Sequence, residues 1–260
     1  MLVAAWLALA AIAAPPLTHG TLREFNVELP TELRTIAGRG KLSPVAHALV
    51  TIAVPNDVAI GGDTPLLVIS ATSDPGYQSS RALLRDYADA ASSAGWVAVA
   101  ADPSESVTAA QDDVPLRLAL NLAALAVVAR QWPDTASAPL AFGGFSGGAK
   151  YSAWLAAAFA SQQRTVIGMY LAGINQNAVK DGATQFGVFT PAYKRVPIFL
   201  QVGDRDDVAT PAAHDALASE LRRAGFRNVR VETFAGKHQV EAGPLRTALK
   251  WFRELRATPN

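Results

Sequence analysis

The sequence has no cysteine. That absence excludes disulfides, thiolate nucleophiles, cysteine-ligated zinc and lipid attachment through sulfur in one step. Charge is scarce too: 17% of the 260 residues are Asp, Glu, Lys or Arg, and the signs nearly cancel, 23 basic against 22 acidic. No positive surplus is available to follow a nucleic-acid backbone or an anionic lipid surface, so neither is expected as a partner. Histidine is limited to four residues, which narrows any search for a general base. What is plentiful is apolar material. It makes up 50% of the chain, enough for a sizeable core and too much for a disordered one.

The first residues read differently from the rest. Met1 to Ala14, MLVAAWLALAAIAA, carry no charged side chain and are too short for a bilayer-crossing helix of about 20 residues. Ala11-Ile12-Ala13 offers the small-x-small pattern of a signal-peptidase site, and Pro15-Pro16 would stop a helix abruptly. Residues 1–13 therefore read as a signal peptide, although the usual basic segment is missing. Export to the periplasm or medium is the corresponding expectation, with no stable membrane insertion after the leader is removed. A buried N-terminal helix is the alternative.

Beyond the leader, residues 14–260 read as one domain, with no internal repeat, low-complexity tract or linker. Short apolar runs alternate with helical patterns. Phe25 to Leu29 and His47 to Val54 read as strands separated by a loop containing Gly and Pro. Pro65 to Ser70 and Trp96 to Ala101 are continuous apolar runs, the mark of strands buried on both faces. Further strands are expected at 139–142, 165–172, 196–202 and 228–234. Helices are expected at 77–94, 114–132, 149–160, 211–224 and 245–256. This alternation predicts an α/β architecture: a mostly parallel central sheet of about eight strands, helices on both faces, and no insertion large enough for a lid. The longest irregular stretch runs from Gly173 to Arg195. Asn175, Phe186, Phe189 and Tyr193 within it either line a substrate pocket or pin the loop to the body.

The most informative segment is Gly144-Phe145-Ser146-Gly147-Gly148, placed between a strand and an Ala-rich helix. A serine aimed out of a sheet must sit on a strained turn, and small residues on either side let strand and helix approach. The Gly147 N–H then lies at a helix N-terminus, where unpaired donors favour an oxyanion. A hydroxyl needs a base to become a nucleophile. Of the histidines, His19 adjoins the leader, His47 opens an early strand far from that end of the sheet, and His214 reads as part of a solvated helix face. His238, in the loop after the last strand, is where such a base belongs. The turn Gly203-Asp204-Arg205-Asp206-Asp207 supplies three carboxylates for an orienting acid, and spacing alone does not choose among them.

These three segments together resemble the α/β-hydrolase superfamily over nearly the whole mature chain, with a layout similar to secreted poly(3-hydroxybutyrate) depolymerase-like and feruloyl-esterase-like esterases. The resemblance implies Ser146 as nucleophile, His238 as base and Asp206 as orienting acid, with Asp207 second and Asp204 third. It implies hydrolysis of a small-molecule or polymer-derived ester through an acyl-enzyme, without metal or organic cofactor. The sequence departs from the family in one place. Where those enzymes end the strand before the first large helix with His-Gly, this chain has Ser70-Ala71-Thr72-Ser73. The second oxyanion donor is then expected to be a backbone amide of Thr72 or Ser73, beside Gly147, with Asp74 close enough to repel an anion if it points inward. Tyr77, Phe145, Asn175 and Phe186 are the expected substrate contacts. A serine peptidase using the same triad, or an idle hydrolase fold acting as a binding protein, are the competing readings.

Overall fold

The computed structural model describes residues 21–55 and 58–257, so the leader-like segment and His19 lie outside the described residues. One sheet of eight strands organises the described residues: β1 (Leu22–Glu28), β2 (His47–Ala53), β3 (Leu66–Ser70), β4 (Val97–Pro103), β5 (Leu140–Phe145), β6 (Val166–Ala172), β7 (Ile198–Gly203) and β8 (Val229–Phe234). Their spatial order is β1-β2-β4-β3-β5-β6-β7-β8. β2 runs antiparallel to both β1 and β4, and all remaining pairs are parallel.

The period of two along each strand divides the core into two layers. Leu66 and Val68 of β3, with Val97 and Val99 of β4, face one layer. Leu67 and Ile69, with Ala98 and Ala100, face the other. The first layer is closed by α1 (Thr31–Ala37), α3 (Val114–Gln131), α4 (Gly147–Ser161), α5 (Ala178–Gln185) and α6 (Pro211–Arg223). The second is closed by α2 (Ser80–Ser93) and α7 (Gly243–Ala257). Each buried Leu, Ile, Val or Phe contributes about 1.5–3 kcal/mol relative to its exposed state, which is why near-continuous apolar strands stay in the middle.

Two helices occupy segments that read as loops. α1 lies between β1 and β2, where Pro30 precedes it and Gly38 closes it. At 7 residues it is too short to show a period, and it holds its place by packing across α3. α5 falls inside Gly173 to Arg195 and lies across α4. Gly182 permits that crossing, since a Cβ there would stand 3.2 Å from the Trp154 Cα. One expected helix is shorter than its apolar pattern. α2 begins at Ser80 rather than Tyr77, because the Ser79 side chain accepts from the Ala82 N–H at 3.1 Å. The Asp102 carboxylate also takes the Ser80 and Arg81 amides at 2.8 and 3.0 Å. Tyr77 is thereby left on the preceding loop.

The chain order reverses direction across the sheet at β3. β4 lies on one side of it, and β5 to β8 proceed on the other. In open α/β sheets the crevice at the carboxyl ends of such a reversal is the place for a ligand. Ser70-Ala71-Thr72 leaves β3 there, and Phe145-Ser146 leaves β5 beside it.

Candidate active site

Ser146 stands at the junction of β5 and α4 with φ 54 and ψ −119, a left-handed conformation that side-chain-bearing residues rarely adopt. Two glycines make the bend possible. A Cβ on Gly144 would meet the Gly148 carbonyl at 2.4 Å and the Ser70 oxygen at 2.6 Å. A Cβ on Gly148 would meet the Ser70 oxygen at 2.0 Å. Strand and helix are thus pressed together against the end of β3, and the serine hydroxyl projects from the sheet edge. α4 starts at Gly147, directly after the serine, so the Gly147 amide is the helix's first N–H.

His238 Nε2 lies 3.0 Å from Ser146 Oγ, and His238 Nδ1 lies 2.8 Å from Asp206 Oδ2. The three side chains form one line of hydrogen-bonding groups spanning 92 positions of sequence. Asp206 is 4% exposed. Its other oxygen accepts the Val208 and Ala209 amides at 2.9 and 2.7 Å. Burial alone would raise its pKa, but the Ala209 amide, the His238 imidazole and the Val208 amide outweigh burial and hold it below the usual carboxylate value. The neighbouring carboxylates do other things. Asp204 accepts the Gly236 N–H at 2.9 Å, clamping the loop that carries His238 onto the end of β7. Asp207 is exposed. Gly203 makes the clamp possible, since a Cβ there would meet the Lys237 carbonyl oxygen at 2.5 Å.

The imidazole is also held from its faces. The Phe145 ring packs on it with centroids 4.6 Å apart. Gly173, at φ +57, passes so close that a Cβ would stand 2.9 Å from both His238 Cε1 and Phe145 Cε2. The remaining described histidines are elsewhere. His47 lies on the same edge of the sheet as Ser146, because β2 runs antiparallel, contrary to the expectation that it sits at the other end. It is separated from β5 by β4 and β3, about 14 Å at ~4.8 Å per strand, and pairs with Glu105 at 3.0 Å. His214 is fully buried rather than solvated. It shares the stripe of Leu217, Ala218 and Leu221 at helical spacing, and burial lowers its pKa.

A hollow of about 510 Å³ opens beside the serine, with Ala71, Thr72, Asp74, Tyr77, Leu83, Phe145, Val208, His238 and Val240 among its walls. Thr72 is seated against Gly147, whose Cβ position lies 2.3 Å from Thr72 Oγ1. The Thr72 hydroxyl donates to Asp74 Oδ2 at 2.7 Å, so that carboxylate is tied to its own loop. Ser73 does not line the hollow: its hydroxyl lies beside the Tyr151 phenol, and its carbonyl accepts from Gln78 Nε2 at 3.0 Å. Of the expected substrate contacts, Tyr77 and Phe145 line the hollow, and Tyr77 is 76% exposed at its mouth.

Phe186 and Asn175 do not line it. Phe186 packs edge-on against Trp154 at 6.3 Å, in a second hollow bordered by α1, α3 and α4. Asn175 is exposed beyond Gly173. The long segment's other aromatics, Phe189 and Tyr193, pack on Phe226 at 5.8 and 6.0 Å. They pin the segment to the body at Phe226, which lies between α6 and β8.

Architecture and topology together are those of the α/β-hydrolase fold, and solved structures carry the same likeness. A lidless α/β serine hydrolase from Xanthomonas campestris is 20% identical, with 94% of this chain and 100% of that one covered at a TM-score of 0.61. A bacterial heroin esterase is 13% identical, covering 91% and 86% of the two chains at a TM-score of 0.60. An esterase from Pyrococcus furiosus is 16% identical, covering 93% and 98% at a TM-score of 0.56. No protein-family model matches the sequence, and no curated protein matches it.

Proposed function

We propose that the chain is a serine hydrolase of the carboxylesterase type, acting on neutral or cationic esters with a modest apolar group. One observation carries this reading: the continuous Asp206–His238–Ser146 relay at 2.8 and 3.0 Å, ending on a serine held in a strained turn. The proposed roles follow from the chemistry. His238 Nε2 takes the Ser146 proton as Oγ attacks the ester carbonyl carbon, while Asp206 fixes the Nδ1–H tautomer and stabilises the imidazolium. The tetrahedral oxyanion is received by the Gly147 N–H and the Thr72 N–H. Collapse expels the alcohol, which takes the proton from His238. Water, deprotonated by the same imidazole, then attacks the acyl-enzyme and restores Ser146.

The hollow supports the substrate class. Leu83, Val208, Val240 and Phe145 offer apolar wall, whereas Asp74 and Asp86 are its carboxylates and no Lys or Arg is among its lining residues. An ester carrying a carboxylate meets repulsion there. The absence of an inserted cap over the described hollow favours dissolved small-molecule or polymer-derived esters over oil interfaces. The test is hydrolysis of p-nitrophenyl acetate and butyrate by the native chain and by Ser146→Ala. The reading requires turnover in the first and none above background in the second. Equal turnover would refute it, and faster cleavage of an aminoacyl anilide would move the assignment to a peptidase.

A further inference from the structure

Below the loop that leaves β3 lies a charged group which the relay does not use. Arg117, on the apolar helix α3, is 1% exposed. Its Nε and Nη2 donate to the two oxygens of Asp112 at 2.5 and 2.6 Å, and Asp112 is 3% exposed. Its Nη1 donates to Ser80 Oγ at 2.8 Å, and the same Ser80 oxygen accepts the Ala71 N–H at 3.2 Å. Nη2 also points to the Thr72 carbonyl at 3.5 Å. The guanidinium lies over the Tyr151 ring at 5.1 Å, and the Tyr151 hydroxyl donates to the Asp112 carbonyl at 2.5 Å.

Burying an ion pair is a weak route to stability, since desolvation offsets most of the attraction. Its placement has another consequence. A peptide unit is planar, so fixing one polar group fixes the direction of its partner across the bond. The Ala71 N–H is fixed through Ser80, and the Thr72 carbonyl is drawn by Arg117. The peptide plane carrying the Thr72 N–H lies between those two anchored planes. This is also the segment where the sequence lacks a glycine and where Thr72 abuts Gly147.

We propose that Arg117, acting through Ser80 and the Thr72 carbonyl, is a positioning residue that aims the Thr72 amide at the developing oxyanion. The inference rests on the esterase reading. Arg117 touches neither substrate nor Ser146, and its effect is carried by the backbone it holds. Asp112 and Tyr151 keep the guanidinium from turning toward solvent.

The experiment compares the native chain, Arg117→Lys and Ser80→Ala on p-nitrophenyl acetate and on the matching thionoester, whose sulfur is a poorer acceptor for an oxyanion donor. Ser80→Ala leaves the Arg117–Asp112 pair whole, so it stays informative if Arg117→Lys does not fold. The expected result is a fall in kcat of about tenfold with KM within about twofold, and a smaller oxoester-to-thionoester rate ratio in each folded variant. An unchanged kcat overturns the proposal. A lower kcat with an unchanged ratio also overturns it, since the arginine then serves only the fold. A native chain that cleaves neither ester refutes the esterase reading itself, a result distinct from both.

Discussion

The two flanks of Ser146 are built by different means. On one side the proposed acid and base are chemically distinctive side chains at the ends of β7 and β8, with direct hydrogen bonds of 2.8 and 3.0 Å. On the other side the proposed oxyanion donors are backbone amides, and the segment bearing one of them is hydrogen-bonded, directly and through Ser80, to the buried Arg117 of α3. In the proposed reaction, side chains on the first flank act directly on the reacting proton, and those on the second act only through the peptide planes they fix. The first flank is therefore expected to fail abruptly when altered, and the second by degrees.

The largest expected effect is on the first flank. Ser146→Ala should lower kcat on the order of 10⁵-fold or more, measured on p-nitrophenyl butyrate, with the chain still folded by circular dichroism. Asp206→Asn should cost about 10⁴-fold by turning an amide N–H toward His238 and favouring the wrong tautomer. Asp207→Asn, on an exposed neighbour, should leave kcat within about twofold, and the reverse order would displace Asp206 from the relay.

Next comes Gly173→Ala. The added methyl meets His238 Cε1 and Phe145 Cε2 at 2.9 Å on a backbone of φ +57. An imidazole displaced by about 1 Å should lose about a hundredfold in kcat, and a wild-type rate would show that the ring is not confined there.

Smaller again is an effect of pH on stability. Asp206 has a lowered pKa in the folded state, so its contribution is complete above the ordinary carboxylate value of 3.8 and is lost as pH falls through its folded value. The Tm advantage of the native chain over Asp206→Ala should be constant in neutral buffer and shrink below pH 3.8. An advantage independent of pH down to complete acid unfolding would contradict the lowered pKa. The smallest effect concerns the strained turn. Ser146→Gly should be more stable than Ser146→Ala by about 1 kcal/mol in urea unfolding, because glycine adopts φ 54 without penalty.

The same contrast explains what the sequence made legible. The alternation of apolar runs and helical patterns was sufficient for the layered sheet, and Gly144-Phe145-Ser146-Gly147-Gly148 for the elbow, because both depend on local residue types. The position of His238 just after the last strand is readable from the order of the apolar runs. The length of α1 hides its period, and the aromatics that follow α5 read equally well as pocket or anchor, because their partners Trp154 and Phe226 lie elsewhere in the chain. His214 reads as solvated in sequence, although its spacing to Leu217, Ala218 and Leu221 carries the buried stripe. Arg117 left one trace, a charge set among the apolar residues of α3, and its partner Ser80 lies 37 positions away. Gly173 gave no trace, since its requirement exists only once His238 has been brought across the sheet edge.

In the proposed reaction Ser146, activated by His238, is the nucleophile, with Oγ as the attacking atom. The most direct measurement is labelling of the native chain with a fluorophosphonate, followed by mass spectrometry of its peptides. A single adduct is expected on the peptide containing Ser146, formed in the native chain and lost in His238→Ala. Labelling at a different residue, or an adduct on Ser146 that forms equally fast without the histidine, would contradict it.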